Sequence, residues 1–432
     1  MPKMQSLMNS QQDDQVDKTV LDNGLKVLTE RVKSVKSISV GVWVKTGSRN
    51  EPGDKAGITH FLEHMLFKGT ETRTAYDIAL SMESVGGYMN AFTSNEYTCY
   101  YIRSLDSELE RAMEVLSDMV LNSTFPDEEV EKEKKVVIEE MKMYRDSPED
   151  YLFESFTSKI FRSHPLGRPV IGYEETVRQL DRSDLFDYVE RRYQPWNIQI
   201  AVAGNADHQN VVSLAEKYLG SPSRKDQNSS SYKLTPYEIH RETLTKPIEQ
   251  THMMIGRRGL WFDHPDKYLL LLANTILGGG MSSRLHQHIR EQYGYCYSIG
   301  TFNQTYVDTG LFGIYIGTDR NYIEHVRELI VKEFEALRNQ PIEKKELEEA
   351  KSQLKGKLLL SQEAMSSRMM RLAKSELYFE RFITLEELVE KIEEVEAEQI
   401  REFSHQFFQE ENFSESLLLP ENATEPEKSQ TI

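Results

Sequence analysis

The sequence predicts an α+β protein built from two halves of similar size, and three observations carry that prediction. The longest stretch that reads as a linker, Ser221 to Tyr232 (SPSRKDQNSSSY), is small, polar and proline-containing, and it lies almost at the midpoint of the 432 residues. Each half mixes strand and helix signals. The halves also share a faint repeat: Gly47 is followed seven and eight residues later by Asp54-Lys55, and Gly259 at the same offsets by Asp266-Lys267, with a strand before and an apolar helix after in both cases. The expected organisation is residues 1–220, a linker at 221–232, a second α+β unit at 233–420, and a disordered tail at 421–432.

The elements follow in order along the chain. Asn23-Gly24 between apolar runs marks a hairpin, and Ile38, Val40, Val42 and Val44 alternate with other residues as in a half-buried strand. Thr74 caps a helix carrying Ile78, Met82 and Val85, which stops at Gly86-Gly87. Asn90-Ala91 opens NAFTSNEYTCYY, which alternates like a strand, and Leu109, Met113, Leu116 and Val120 mark another helix. Pro126 and Asp127 then open a charged helix (EEVEKEKKVVIEEMKMY), because proline suits a first turn and acids favour the positive end of the helix dipole. In the second half, Gly278 to Gly280 lack the Lys-Ser/Thr pair of a phosphate-binding loop and read as a close-packed or flexible loop. The charged run Glu343 to Lys351 reads as a solvated helix face.

Composition narrows the function. With 38% hydrophobic residues the chain is long enough for two to four ordinary cores, and 52 basic against 70 acidic side chains give a net charge of −18, which argues against a nucleic-acid binder. Two cysteines, Cys99 and Cys296, supply neither a disulfide framework nor a thiolate metal cage, and a reducing compartment fits. Met1 to Val20 is polar and no stretch approaches the ~20 apolar residues of a membrane span. A cytoplasmic protein without a membrane partner is expected.

The sharpest feature is His60-Phe61-Leu62-Glu63-His64. Two histidines four apart lie one above the other on a helix face, where their imidazoles can share one ion, and Glu63 projects toward the same side. A catalytic zinc wants three protein ligands and a water, and Glu63 is needed to take a proton from that water, so another acid must supply the third ligand. The charged helix offers Glu133 and Glu140 on one stripe with Val137, and buried acids need a partner such as a dication. Histidines at this spacing also occur on surface helices. The apolar flank Phe61, Leu62, Met65, Leu66 and Phe67 makes this helix a core element, in which two histidines and a glutamate need a reason.

The order HxxEH is the inverzincin signature. Its surroundings, AGITHFLEHMLFKGT, GGYMNAFTSNEYTCYY and EKKVVIEE with Glu140 76 residues after His64, resemble the pitrilysin, insulinase and mitochondrial processing peptidase family. The resemblance continues through HPLGRPVIG, YQPWNIQIAVAGN and LGGGMSSRLHQHIREQYGYCYS, and the length is similar to that of the short-chain bacterial branch. It implies two homologous halves, each a mostly antiparallel sheet packed with helices, forming a clamshell around a cleft. It further implies His60, His64 and Glu140 as ligands of one zinc ion per chain, Glu63 as the base and Glu133 as the acid behind a ligand. Arg290 and Tyr297 match the family's substrate-contacting arginine and tyrosine, with Tyr295 as a competitor for the second role. The segment at Asn90 and Ala91 matches the strand to whose edge the family adds the substrate peptide; as a plain sequence feature, Asn90 reads equally as a turn residue after the glycines.

The chemistry implied is peptide hydrolysis: zinc acidifies a water, Glu63 takes its proton and passes it to the leaving nitrogen, and the metal polarises the carbonyl. The substrates expected are short or unfolded peptides, with the acid excess suggesting basic ones. A homodimer is left open. The rival class is a noncatalytic peptide-binding or scaffold subunit of the same fold, against which the intact His60, Glu63, His64 and Glu140 argue; a purely structural metal site would need a fourth ligand that no nearby cysteine provides.

Overall fold

A computed structural model describes residues 15–220 and 232–421. Of the expected linker at 221–232 and tail at 421–432, residues 221–231 and 422–432 lie outside the described residues. The chain divides into two units: Met1–Lys142, Arg168–Tyr232 and Leu360–Ile383 form unit 1, and Met143–Gly167, Lys233–Leu359 and Thr384–Ile432 form unit 2.

Unit 1 is built on six strands, β1 (Gln15–Val20), β2 (Lys26–Arg31), β3 (Ser37–Val44), β4 (Tyr88–Thr93), β5 (Thr98–Leu105) and β6 (Ile198–Gly204), ordered β1-β2-β6-β3-β5-β4. Only the β2–β6 pair is parallel. Asn23-Gly24 sits in the β1–β2 turn, with Gly24 at φ +89° and the Asn23 side chain accepting from the Leu25 amide. Helices α1 (Ile58–Met65), α2 (Ala75–Glu83), α3 (Leu109–Asn122) and α4 (Asp127–Asp146) follow the expected starts. Thr74 caps α2 through a reciprocal pair with Asp77, which satisfies amides that the helix cannot. Further along, the chain forms α5 (Pro148–Ile160), α6 (Glu174–Gln179), α7 (Arg182–Arg192) and α8 (His208–Leu219).

Unit 2 repeats the sheet with one strand fewer: β7 (Arg241–Lys246), β8 (Thr251–Gly259), β9 (Cys296–Thr305), β10 (Gly310–Thr318) and β11 (Ser414–Pro420), ordered β7-β11-β8-β10-β9. Its parallel pair, β11–β7, corresponds to β6–β2, and the antiparallel run β11-β8-β10-β9 corresponds to β6-β3-β5-β4. The faint repeat therefore falls after equivalent strands, since Gly47 follows β3 and Gly259 ends β8. The helices here are α9 (Lys267–Gly278), α10 (Ile323–Asn339), α11 (Lys344–Ser361, reaching into unit 1), α13 (Leu385–Glu393) and α14 (Ala397–Phe407). The glycine run after α9 is close-packed, for a Cβ on Gly278 would stand 2.5 Å from the Thr301 side chain. On α11 the charged run is only partly a solvated face, because Lys351 is buried and donates to the Glu393 carbonyl.

The units cross the expected boundaries at two helices. Helix α5 belongs to unit 2, where Leu152, Phe156 and Ile160 pack with Met254, Leu311 and Leu418. Helix α12 (Met365–Phe379) belongs to unit 1, where Met369, Leu372 and Ala373 cover Leu28, Trp43, Ala201 and Ala203. This corrects the reading of β3 as half-buried. Its alternating residues Ile38, Val40, Val42 and Val44 join the main core, and the other face, with Ser39 and Trp43, is buried under α12. Trp43 Nε1 approaches Met369 Sδ at 3.1 Å, and Gln199 donates to the Ala373 carbonyl. Neither helix announces this in sequence, because each sits in the other half of the chain.

Candidate metal centre

Two helices of unit 1 bring the proposed ligands together. Helix α1 buries Ile58, Phe61, Leu62 and Met65, so its fixed orientation directs His60, Glu63 and His64 to its other side. Helix α4 buries Val130, Val137 and Met141 on one stripe, which carries Glu133 and Glu140 to the same place. The Glu140 carboxylate lies 3.6 Å from His64 Nε2 and 3.9 Å from His60 Nε2, and one donor atom from each of the three residues lies within 4.8 Å of the other two. Among the described residues this is the one such group of histidine, cysteine or acid side chains.

Hydrogen bonding sets the roles of these atoms. Glu133 Oε1 is 2.9 Å from His64 Nδ1, and a carboxylate can only accept, so the imidazole donates there and turns the Nε2 lone pair toward Glu140. Lys68 donates to the second oxygen of Glu133 at 2.6 Å. Burial opposes ionisation of Glu133, yet the bonds from His64 and Lys68 prevail and hold its carboxyl below the ordinary value. Burial likewise disfavours the charged form of His64, but the pull of Glu133, Glu140 and Glu63 raises it. His60 has no such support. Burial, then the neighbouring His64, push it down to about 3, and its Nδ1 is buried without a hydrogen-bond partner. Neutral imidazole is the form that ligates a metal, so the donor set of two imidazoles and one carboxylate fits a zinc ion.

Glu63 stands beside this group. Burial raises its carboxyl above the ordinary range, against a 2.5 Å hydrogen bond donated by Thr93 from β4. Cys99 is buried in β5 and Cys296 is buried at the start of β9; burial raises both thiols, so neither is poised as a nucleophile.

The remaining candidates lie as follows. Asn90 is inside β4, the last strand of its sheet, and not in a turn; it donates to the Tyr88 hydroxyl and accepts from the Ala91 amide. Arg290 and Tyr297 belong to unit 2, where the guanidinium lies 5.6 Å from the Tyr297 ring centre and donates to His286. Tyr297 is 75% exposed, whereas Tyr295 is half-buried between the rings of Tyr293 and Tyr322.

Four contributors had escaped the sequence reading. Lys68 lies just beyond the end of α1 and reaches Glu133 on α4, a contact that local spacing does not show. Nor does it show Thr93, Glu51 and Tyr188, because they act across loops and strands. Glu51 is fully buried and accepts hydrogen bonds from the amides of Gly57 and Thr59 at 2.7 and 2.8 Å, while the Tyr188 hydroxyl lies 2.8 Å from Thr59 Oγ1.

Comparison with known proteins bears on this geometry. The profile of Insulinase (Peptidase family M16) matches residues 26–174, which contain the whole candidate centre, and that of the Peptidase M16 inactive domain matches residues 179–354. A Bacillus subtilis protein named as the uncharacterised zinc protease YmxG is 40% identical over 92% of this chain and 97% of its own length. The chain belongs to peptidase family M16. A Mycobacterium leprae relative, likewise named an uncharacterised zinc protease, is 40% identical over 90% of this chain and 89% of its own length. The two-unit M16 fold is shared with a protease from Helicobacter pylori (TM-score 0.87, 24% identity, 94% of this chain and all of that one). It is shared also with a Pseudomonas fluorescens structure described as a peptidase M16 inactive domain (TM-score 0.88, 20% identity, 95% of this chain and all of that one).

Proposed function

We propose that this M16 chain is a zinc-dependent endopeptidase acting on peptides or unfolded segments, with His60, His64 and Glu140 holding one zinc ion and Glu63 as general base. One observation carries the reading: two imidazole nitrogens and a carboxylate oxygen converge to within 4.8 Å of one another, an arrangement that a cation would complement. A zinc ion held there would supply a Lewis acid that acidifies water and polarises a peptide carbonyl.

The chain's own groups do the rest. Thr93 ties down Oε2 of Glu63, which orients the carboxylate and leaves Oε1 to accept a proton from the attacking water and return it to the leaving nitrogen. A carboxyl raised by burial suits a group that must act first as base and then as acid. Glu133 keeps the His64 ring in the tautomer that ligation needs. The outer edge of β4, at Asn90 and Ala91, offers main-chain groups to an extended peptide, and the paired Arg290 and exposed Tyr297 offer a cation and a phenol to the substrate. The net charge of −18 favours basic peptides. The inactive-domain match begins at residue 179, beyond His60, Glu63, His64 and Glu140, so it does not argue for a noncatalytic chain.

The test is digestion of a mixed peptide library by the wild type and Glu63→Gln, with and without chelator, reading cut sites by mass spectrometry. Chelator-sensitive cleavage that Glu63→Gln loses is the expected result. Cleavage that survives both would overturn the assignment.

A further inference from the structure

We propose that Glu51 is a positioning residue for the metal ligands: it clamps the first turn of the helix that carries them and so sets the affinity of a centre it does not touch. The proposal rests on His60, His64 and Glu140 being the metal site.

Helix α1 has eight residues, two turns, too few to hold its shape alone. Its first amides lack partners within the helix, and the residue at its N-terminal boundary is Gly57, which has no side chain to cap them. Glu51 fills that role from six residues upstream. Its Oε2 accepts from the Gly57 amide at 2.7 Å and its Oε1 from the Thr59 amide at 2.8 Å, so both oxygens are committed to the turn that leads into His60. The side chain is completely buried, where a carboxylate is costly unless fully bonded.

The surroundings hold the same turn from other directions. The Tyr188 hydroxyl on α7 bridges Thr59 Oγ1 at 2.8 Å and Thr46 Oγ1 at 3.1 Å. Arg168 donates to the Glu51 carbonyl at 3.1 Å, fixing the loop from which the carboxylate reaches. Gly57, at φ +93°, is pressed so closely against Ile171 and Gly172 that a Cβ would stand 2.6 Å from the Ile171 carbonyl. The two imidazoles, four residues apart, keep their ring centres 4.7 Å from each other only while this turn stays helical; fraying would carry His60 away from His64 and Glu140. Glutamine at position 51 keeps the volume but turns one acceptor into a donor aimed at an amide N–H.

The experiment measures the zinc dissociation constant of the intact protein at 25 °C by competition with a chromophoric chelator, for wild type, Glu51→Gln and Tyr188→Phe. Circular dichroism and the melting temperature of the metal-free proteins are followed alongside. Glu51→Gln should remain folded at 25 °C yet bind zinc at least ~10-fold more weakly, in the range seen when groups supporting metal ligands are altered, and Tyr188→Phe should weaken it by a smaller factor. Zinc affinity within about twofold of wild type in both variants, whatever the change in melting temperature, would reduce Glu51 to an ordinary structural cap and overturn the proposal. If Glu51→Gln fails to fold, Tyr188→Phe decides alone by the same criterion. A wild type that binds no zinc would remove the site itself, a failure separate from that of the clamp.

Discussion

Burial keeps the His60 imidazole neutral down to about pH 3, while Glu133 anchors His64 through Nδ1. On the proposed reading the two histidines are prepared for ligation by different means, and both should be required. The purified protein should carry about one zinc per chain, and His60→Ala should lose it; full metal occupancy in that variant, by elemental analysis, would exclude the centre. The two glutamates of α4 should separate in the same assay. Glu140→Gln should lose zinc, whereas Glu133→Gln, which leaves the donor set intact, should weaken binding ~10 to 100-fold. Equal loss in both would show that the roles are misassigned. Glu51 adds a pH signature. Its carboxyl is pushed up to about 7 by burial, against the hydrogen bonds from Gly57 and Thr59, and the unfolded value is 4.5. A raised folded value means that the group's stabilising contribution is complete below pH 4.5 and is lost as pH rises through about 7. Between pH 4.5 and 8 the wild type should therefore lose up to ~3 kcal/mol more stability than Glu51→Gln in urea unfolding of the metal-free proteins. Parallel losses would show that Glu51 does not titrate in this range.

At the level of elements, α1 and α12 carry the most consequence per residue. Gly57 must be glycine because its φ of +93° and the 2.6 Å approach to Ile171 leave no room for a side chain. On the other face of the sheet, Met369 and Leu372 are buried against Trp43, so Leu372→Ala should cost ~2 to 5 kcal/mol and shift Trp43 fluorescence toward longer wavelength. An unchanged unfolding midpoint would mean that α12 is only loosely docked. The elements themselves were largely legible: the hairpin at Asn23-Gly24, the cap at Thr74 and the starts of α3 and α4 follow from turn chemistry, capping and a period of 3.6, all of which are local. The second covered face of β3 was not. Ser39, Gly41 and Trp43 form a mixed row, and what buries it is more than 300 residues away in the chain.

Across the molecule, each half of the sequence lends a helix to the other unit: α5 to unit 2 and α12 to unit 1. A cut at the midpoint therefore does not yield two complete units. Residues 1–220 expressed alone contain all the proposed ligands but lack α12, and should aggregate through the uncovered face around Trp43. The full chain nicked once within 221–231 should instead migrate as one particle in size-exclusion chromatography and keep its zinc. A soluble, monomeric, zinc-loaded 1–220 fragment would show that α12 is dispensable to unit 1.

The sequence alone was enough for the α+β class and for the candidate site residues His60, Glu63 and His64 with Glu133 and Glu140, because helix stripes and the HxxEH spacing are recorded within a few turns of chain, while the choice of Glu140 over Glu133 as the proposed ligand rested on the family resemblance. Tertiary structure decided the rest: which strands are covered on both faces, that Tyr297 is more exposed than Tyr295, and that Thr93 bonds Glu63, Lys68 bonds Glu133, and Glu51 and Tyr188 bond Thr59 in the first turn of α1. The physical reason is one of range. Periodicity encodes the direction in which a side chain leaves its own element, but a buried carboxylate or hydroxyl takes its meaning from donors and acceptors that arrive from elsewhere in the chain.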